Sequence, residues 1–106
     1  MRILFDQGTP VPLRNHLPSH EVATVFELHW STLTNGDLLL QAEAAGFDLL
    51  VTTDQNLRYQ QNLAARRIAV VVLSSTSWPR IQKAIANVVD AITRARPGVY
   101  IEVTVP

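Results

Sequence analysis

The sequence contains no cysteine, and none of its apolar runs approaches the roughly 20 residues that a membrane-spanning helix needs. Without cysteine there can be no disulfide, no thiolate metal ligand and no cysteine nucleophile. A surplus of charge is also missing, because nine basic residues balance nine acidic ones. The chain therefore lacks the overall positive field that draws many proteins to nucleic acid, and any such binding must come from local charges.

The hydrophobic content of 47% is enough to bury a core, and single prolines and glycines are spread between the apolar segments. We therefore expect a single domain over residues 1–106, without repeats or linkers. No charged and then apolar leader opens the sequence, so a cytoplasmic location is expected, with no membrane partner.

Apolar runs typical of strands alternate with helical patterns along the chain. Strands are predicted at residues 2–6, 21–25, 47–51, 68–73 and 99–105, and the strict alternation of the last indicates a half-buried edge strand. Strands that alternate with helices indicate β-α-β units with right-handed crossovers. We therefore expect an α/β fold, a three-layer α/β/α sandwich on a mostly parallel five-stranded sheet in the order 2-1-3-4-5.

Helices are predicted between these strands. A short helix should begin near Pro10 and end before Pro18, with Leu13 and Leu17 facing inward. Residues 26–30, which are rich in large side chains, should form a loop after the second strand.

The second predicted helix begins at the capping residue Thr34 and ends before Gly46. Four residues should form its buried stripe: Leu38, Leu39, Ala42 and Ala45. A third helix is expected over residues 56–65. One long helix should run from its cap at Ser77 to about Ala95, because apolar residues recur there at helical spacing.

Three aspartates should meet at the carboxyl edge of this sheet. Asp6 and Asp54 end the first and third strands, which the expected order makes neighbours about 4.8 Å apart. Asp37 lies at the start of the helix that leads into the third strand, and it can reach the same crevice. Each acid alone could be a turn former or a helix cap, so their convergence is what favours a functional site.

Carboxylates held this close raise each other's pKa, and a divalent cation would relieve the conflict. Oxygen ligands without His or Cys favour Mg²⁺ or Mn²⁺. This arrangement predicts metal-dependent hydrolysis of a phosphodiester. Asp6 and Asp54 would be catalytic metal ligands, and Asp37 would be a further ligand or would orient the attacking water.

The segment 47–57, a first strand ending in Asp6, and Asn35-Gly36-Asp37 before an Ala-rich helix with Glu43 together resemble the compact PIN-like family. The resemblance extends over residues 1–96. It implies a PIN-type fold, a Mg²⁺- or Mn²⁺-dependent ribonuclease activity on RNA, and a role as the toxin of a toxin–antitoxin pair with a cognate antitoxin protein as partner.

Members of that family commonly carry further acids where this chain has Gln7 and Asn56. The side-chain amides of Gln7 and Asn56 could instead bind a metal-bound water or a phosphate. Arg58 and Arg80 follow the third and fourth strands, and Ser74 offers a hydroxyl at the same edge. These five residues are the predicted substrate contacts.

Arg66 and Arg67 precede the fourth strand, so they should lie at the opposite edge in a solvent-facing or partner-facing role.

Two other functions fit parts of the pattern. The neutral charge and the replaced acids favour a catalytically degenerate PIN-like interaction module, acting as a homodimer or through a partner protein. A receiver-like signalling domain also has aspartates at strand ends, but Ser74 and Ser75 stand where it would carry a lysine.

Overall fold

The computed structural model describes residues 1–57 and 62–106. A single five-stranded sheet consists of β1 (Arg2–Phe5), β2 (Glu21–Thr24), β3 (Leu49–Thr52), β4 (Ala69–Leu73) and β5 (Tyr100–Val103). The order is β2-β1-β3-β4-β5, and every neighbouring pair is parallel. The predicted α/β fold and the predicted strand order are both confirmed.

Helices connect these strands. Within the described residues they are α1 (Asn35–Ala44), α2 (Trp78–Lys83) and α3 (Ile85–Thr93), together with 3₁₀ helices at Val11–His16 and Leu63–Ala65. The side chain of Thr34 accepts the backbone N–H of Asp37, and Ser77 accepts that of Arg80. Both predicted caps are confirmed, so these two residues set where α1 and α2 begin.

Alternate residues of the strands enter two separate cores, one on each face of the sheet. In β1, Ile3 and Phe5 belong to the same core as Ile92 of α3, whereas Leu4 belongs to the core of Leu39 from α1. All five side chains are completely buried. Because helices cover both faces, the domain is the predicted three-layer sandwich.

The prediction of one long helix from Ser77 to Ala95 is wrong. The backbone leaves helical values at Ala84, with φ −107° and ψ 19°, and α2 and α3 are separate helices on either side of it. Neither Pro nor Gly marks the break, and Ile81 and Ile92 from the two helices enter the same core. Ala84 is itself buried, so tertiary packing overrides a sequence with good helix propensity.

The buried stripe of α1 is confirmed for Leu38, Leu39 and Ala42, but the inclusion of Ala45 is wrong because that residue is exposed. Ala45 is the C-cap, where the helix has already ended. Gly46 follows with φ +83°, the left-handed conformation predicted for it.

The short segment after Pro10 is a 3₁₀ helix, and Leu13 and Leu17 are buried as predicted. Part of the helix predicted over residues 56–65 lies outside the described residues, and its far end forms the second 3₁₀ helix. Within the described ranges, no helix has both the length and the apolar character needed to cross a membrane.

Candidate functional site

The carboxyl ends of β1 and β3 place Asp6 and Asp54 on either side of the Thr52 hydroxyl. Thr52 Oγ1 donates to Asp6 Oδ2 over 2.7 Å and accepts from the backbone N–H of Asp54 over 3.1 Å. Thr52 is completely buried. The backbone N–H of Asp6 also donates to the Val51 carbonyl over 2.9 Å. The sheet itself therefore brings the two aspartates together, as the strand order predicts.

Two further donors orient the Asp54 carboxylate. Nδ2 of Asn35 donates to Oδ2 over 3.0 Å, and the backbone N–H of Asn56 donates to Oδ1 over 3.0 Å. Asn35 is the first residue of α1, so the start of this helix lies against the end of β3. Thr52 and Asn35 are site residues that sequence analysis missed. The available signals were only a threonine two residues before the acid and an asparagine after a helix cap.

Burial raises the pKa of Asp6 above its ordinary value. The hydrogen bonds from Thr52 and from the Gln7 N–H, which lies 2.8 Å from Oδ1, act in the opposite direction. The nearby Asp54 carboxylate raises the pKa further. Asp6 is thus a partly buried acid that faces a second acid, which is the electrostatic situation that a bound cation relieves.

The oxygens of this carboxylate pair fit Mg²⁺ or Mn²⁺. Each of the four oxygens accepts one of the hydrogen bonds described above, and a carboxylate oxygen has capacity for a second partner. Hard cations of this kind take carboxylate oxygens and keep several waters, so they do not require a cage made entirely of protein. Asp6 and Asp54 are the residues that could hold such an ion.

Asp37 lies apart from this pair. Its exposed side chain lines a hollow with four other residues of α1 and the preceding turn: Leu33, Leu40, Gln41 and Ala44. Among residues 1–57 and 62–106, no three His, Asp or Glu side chains are close enough to hold a metal ion together. The structure brings two of the three predicted acids together, and Asn35 takes the position beside Asp54.

Gln7 follows Asp6 directly, and Asn56 lies two residues after Asp54. Both residues are exposed, and their backbone N–H groups donate to the two aspartates. Contact of their side chains with a metal-bound water or a phosphate stays a prediction. Arg80 is exposed in the first turn of α2. Arg58 lies outside the described residues.

Ser74 makes structural contacts at the end of β4. Its Oγ accepts the backbone N–H of Val105 over 2.7 Å, and its carbonyl accepts Nε2 of Gln55 over 3.4 Å. It thereby connects the segment after β5 and the turn after β3. Any contact of Ser74 with a substrate would have to share the hydroxyl with Val105.

Arg66 and Arg67 surround Glu43. Nη1 of Arg66 lies 2.9 Å from Glu43 Oε1, and the backbone N–H of Arg67 donates to Oε2 over 2.8 Å. Burial raises the pKa of Glu43, but the hydrogen bonds from Arg67 and Arg66 outweigh this effect and hold it below its ordinary value. This largely buried ion pair connects α1 to the segment before β4, which is a structural role.

A cavity of about 330 Å³ opens beside Asp6, between the ends of β1 and β2. Its lining comes from the end of β1, the first 3₁₀ helix and the turn after β2: Phe5, Asp6, Gln7, Gly8, Thr9, Val11, Arg14, Thr24, Val25, Phe26, Glu27 and Ser31. Arg14 and Glu27 form an ion pair in this wall. The sequence predicts the turn after β2 but contains no signal for the cavity.

The fold and this edge define an α/β/α domain with two paired carboxylates at the carboxyl ends of adjacent parallel strands. Comparison of the chain with protein-family models, with curated proteins and with solved structures finds no match. The likeness to the PIN-like family stays a prediction from the residues quoted above.

Proposed function

We propose that this protein is a PIN-like, metal-dependent ribonuclease. The observation that supports the proposal is the pairing of Asp6 and Asp54 at the ends of adjacent strands around the buried hydroxyl of Thr52. Mg²⁺ or Mn²⁺ held by these carboxylates would supply the activation of a water and the stabilisation of charge on the phosphodiester. RNA as the substrate follows from the family resemblance.

The surrounding residues would position the two carboxylates. Thr52 orients Asp6 and Asn35 orients Asp54, so both groups lose little freedom when an ion binds. Asp37 would contribute from α1 only indirectly, since its side chain lies apart from the pair. Five residues would contact the phosphates of RNA: Gln7, Asn56, Arg58, Ser74 and Arg80.

Cleavage of single-stranded RNA by the purified protein tests this proposal. Activity should require Mg²⁺ or Mn²⁺ and should be abolished by EDTA, by Asp6→Asn and by Asp54→Asn. Asp37→Asn should lower activity less, because that side chain lies apart from the pair. Asp90→Asn is the matched control, since this exposed acid of α3 pairs with Arg94 over 3.0 Å.

Absence of cleavage with either metal ion would contradict the proposal. Cleavage of equal rate in preparations of the wild type and of Asp6→Asn would also contradict it, because the activity would then belong to a contaminating nuclease.

We further propose a cytoplasmic toxin whose partner is a cognate antitoxin, which rests on the family resemblance. Expression of the chain should arrest growth, and co-expression of the small protein encoded beside it should restore growth. Expression of the Asp6→Asn variant should not arrest growth. Growth arrest that persists in Asp6→Asn would contradict a catalytic toxin.

A catalytically degenerate interaction module is the second candidate, favoured by the separation of Asp37 from Asp6 and Asp54. Such a module needs no cation and would act as a homodimer or with a partner protein. Calorimetric titration with Mn²⁺ separates the two functions. Saturable binding that Asp6→Asn removes supports the nuclease, whereas no binding together with a dimer in light scattering supports the module.

A further inference from the structure

The cavity between the ends of β1 and β2 adjoins the carboxylate pair, because Asp6 and Gln7 belong to its wall. Its volume of about 330 Å³ is near the lower end of the roughly 300–1,000 Å³ of small-molecule sites. It has room for one planar ring system, but not for a helix or a folded peptide. A ligand in this cavity would lie directly beside Asp6.

The charges of the wall disfavour an anion. The hydrogen bond from Arg14 and that from the Thr24 N–H, over 2.9 Å, hold the pKa of Glu27 below its ordinary value. Glu27 is therefore ionised at neutral pH and neutralises the guanidinium of Arg14. Asp6 adds a second carboxylate, so the cavity suits a neutral ligand better than a phosphate.

The wall also offers an aromatic surface. Phe26 is 80% exposed and Val11 is 53% exposed, although both line the cavity. Unpaired bases stack on such exposed aromatic rings. The Nε of Arg14 is buried and has no hydrogen-bond partner in the described part of the chain.

We infer that this cavity is a subsite for one unpaired nucleobase of single-stranded RNA, whose neighbouring phosphate lies at the Asp6 and Asp54 pair. The inference rests on the proposed ribonuclease function for the identity of the polymer. Base binding needs no cation, so it can be measured separately from cleavage.

Titration of metal-free, ¹⁵N-labelled protein with adenosine, guanosine, cytidine and uridine tests the subsite. At least one nucleoside should shift the amide signals of Phe26 and Glu27 in a saturable manner. Phe26→Ala should weaken that binding by roughly 5- to 150-fold, the range set by loss of base stacking, and Phe26→Trp should retain it. Leu40→Ala is the matched control, because Leu40 is an exposed apolar residue outside the cavity. In RNA cleavage, Phe26→Ala should raise KM by a similar factor.

The outcomes separate the subsite from the ribonuclease. Nucleoside binding that Phe26→Ala abolishes supports the subsite even if no RNA is cleaved, in which case only the ribonuclease proposal fails. Metal-dependent cleavage with an unchanged KM in Phe26→Ala, and no nucleoside binding, overturns the subsite and leaves the ribonuclease intact. Inorganic phosphate that shifts the same signals when nucleosides do not also overturns it. The subsite is likewise overturned if Phe26→Ala changes only dimer formation or antitoxin binding.

Discussion

Replacing Thr52 by valine would remove the hydroxyl that connects Asp6 to Asp54 while nearly preserving the shape of the side chain. Thr52 is completely buried at the last position of β3. Valine can neither donate to Asp6 Oδ2 nor accept from the Asp54 N–H. The hydrogen bonds of 2.7 Å and 3.1 Å are therefore both lost.

The two lost bonds set the size of the effect. A hydrogen bond to a charged group contributes about 1.5–3 kcal/mol and a neutral one about 0.5–1.5 kcal/mol. Asp6 and Asp54 are only partly buried, so water can replace part of the lost hydrogen bonding. The added methyl group of valine offsets a further part of the lost stability. We expect the free energy of unfolding to fall by about 2 kcal/mol. That loss corresponds to a Tm lower by about 10 °C in a domain of this size.

The same substitution should weaken Mn²⁺ binding by roughly tenfold, the lower end of the effect of losing a group that orients a metal ligand. Stability is measured by urea unfolding in EDTA with tryptophan fluorescence, and Mn²⁺ affinity by calorimetry. Thr104→Val is the control, because Thr104 is exposed and no hydrogen bond of its hydroxyl is seen within the described residues. It should change stability by less than about 0.5 kcal/mol. Equal stability and equal Mn²⁺ affinity of Thr52→Val and the wild type would refute the reasoning.

Three further substitutions test other contacts. Burial and Asp54 raise the folded-state pKa of Asp6 above the ordinary value of 3.8, so its ionised form destabilises the metal-free fold. The stability of the wild type relative to Asp6→Asn in urea unfolding should therefore improve as the pH falls from about 7 to about 4. Glu43→Gln should lower the free energy of unfolding by about 1–2 kcal/mol by weakening the pair with Arg66. That difference should shrink in acid. The folded-state pKa of Glu43 is lowered, so its carboxylate stabilises the fold at neutral pH and loses this effect as the pH falls through that pKa. Gly8→Ala should lower the free energy of unfolding by about 1–3 kcal/mol, measured by thermal unfolding. The reason is that φ of Gly8 is +94° and the added Cβ would lie 2.8 Å from Oγ1 of Thr53.

Two of these variants have a control within the same chain. For Glu43→Gln the control is Asp90→Asn, which should cost less than about 0.5 kcal/mol because its ion pair is exposed. Gly36→Ala, within α1, should be neutral or stabilising. A pH-independent difference for the first variant, or wild-type stability for either of the others, would contradict the corresponding argument.

Much of the fold could be predicted because local signals and long-range topology agree. The apolar runs of β3 and β4 lack alternation, and both strands are buried along their whole length. Right-handed crossovers leave few possible strand orders. The caps Thr34 and Ser77 act through hydrogen bonds within three residues, so a sequence pattern contains all the information they need.

The break at Ala84 and the details of the site could not be predicted, because they depend on tertiary packing that no local sequence signal records. The apolar period continues through Ala84, and only packing against the sheet shows that the helix divides. Strand order places Asp6 beside Asp54, but the direction of the α1 axis decides which residue of the helix start faces them. That residue is Asn35 and not Asp37. Periodicity contains no information on that direction.

The claim that Asp6 and Asp54 together hold one divalent cation can be tested most directly by a crystal structure of the protein grown with Mn²⁺. The anomalous signal of manganese should give one peak about 2.1 Å from a carboxylate oxygen of each aspartate, with waters completing the coordination. A structure at saturating Mn²⁺ in which the ion binds elsewhere, or contacts neither carboxylate, would contradict the account.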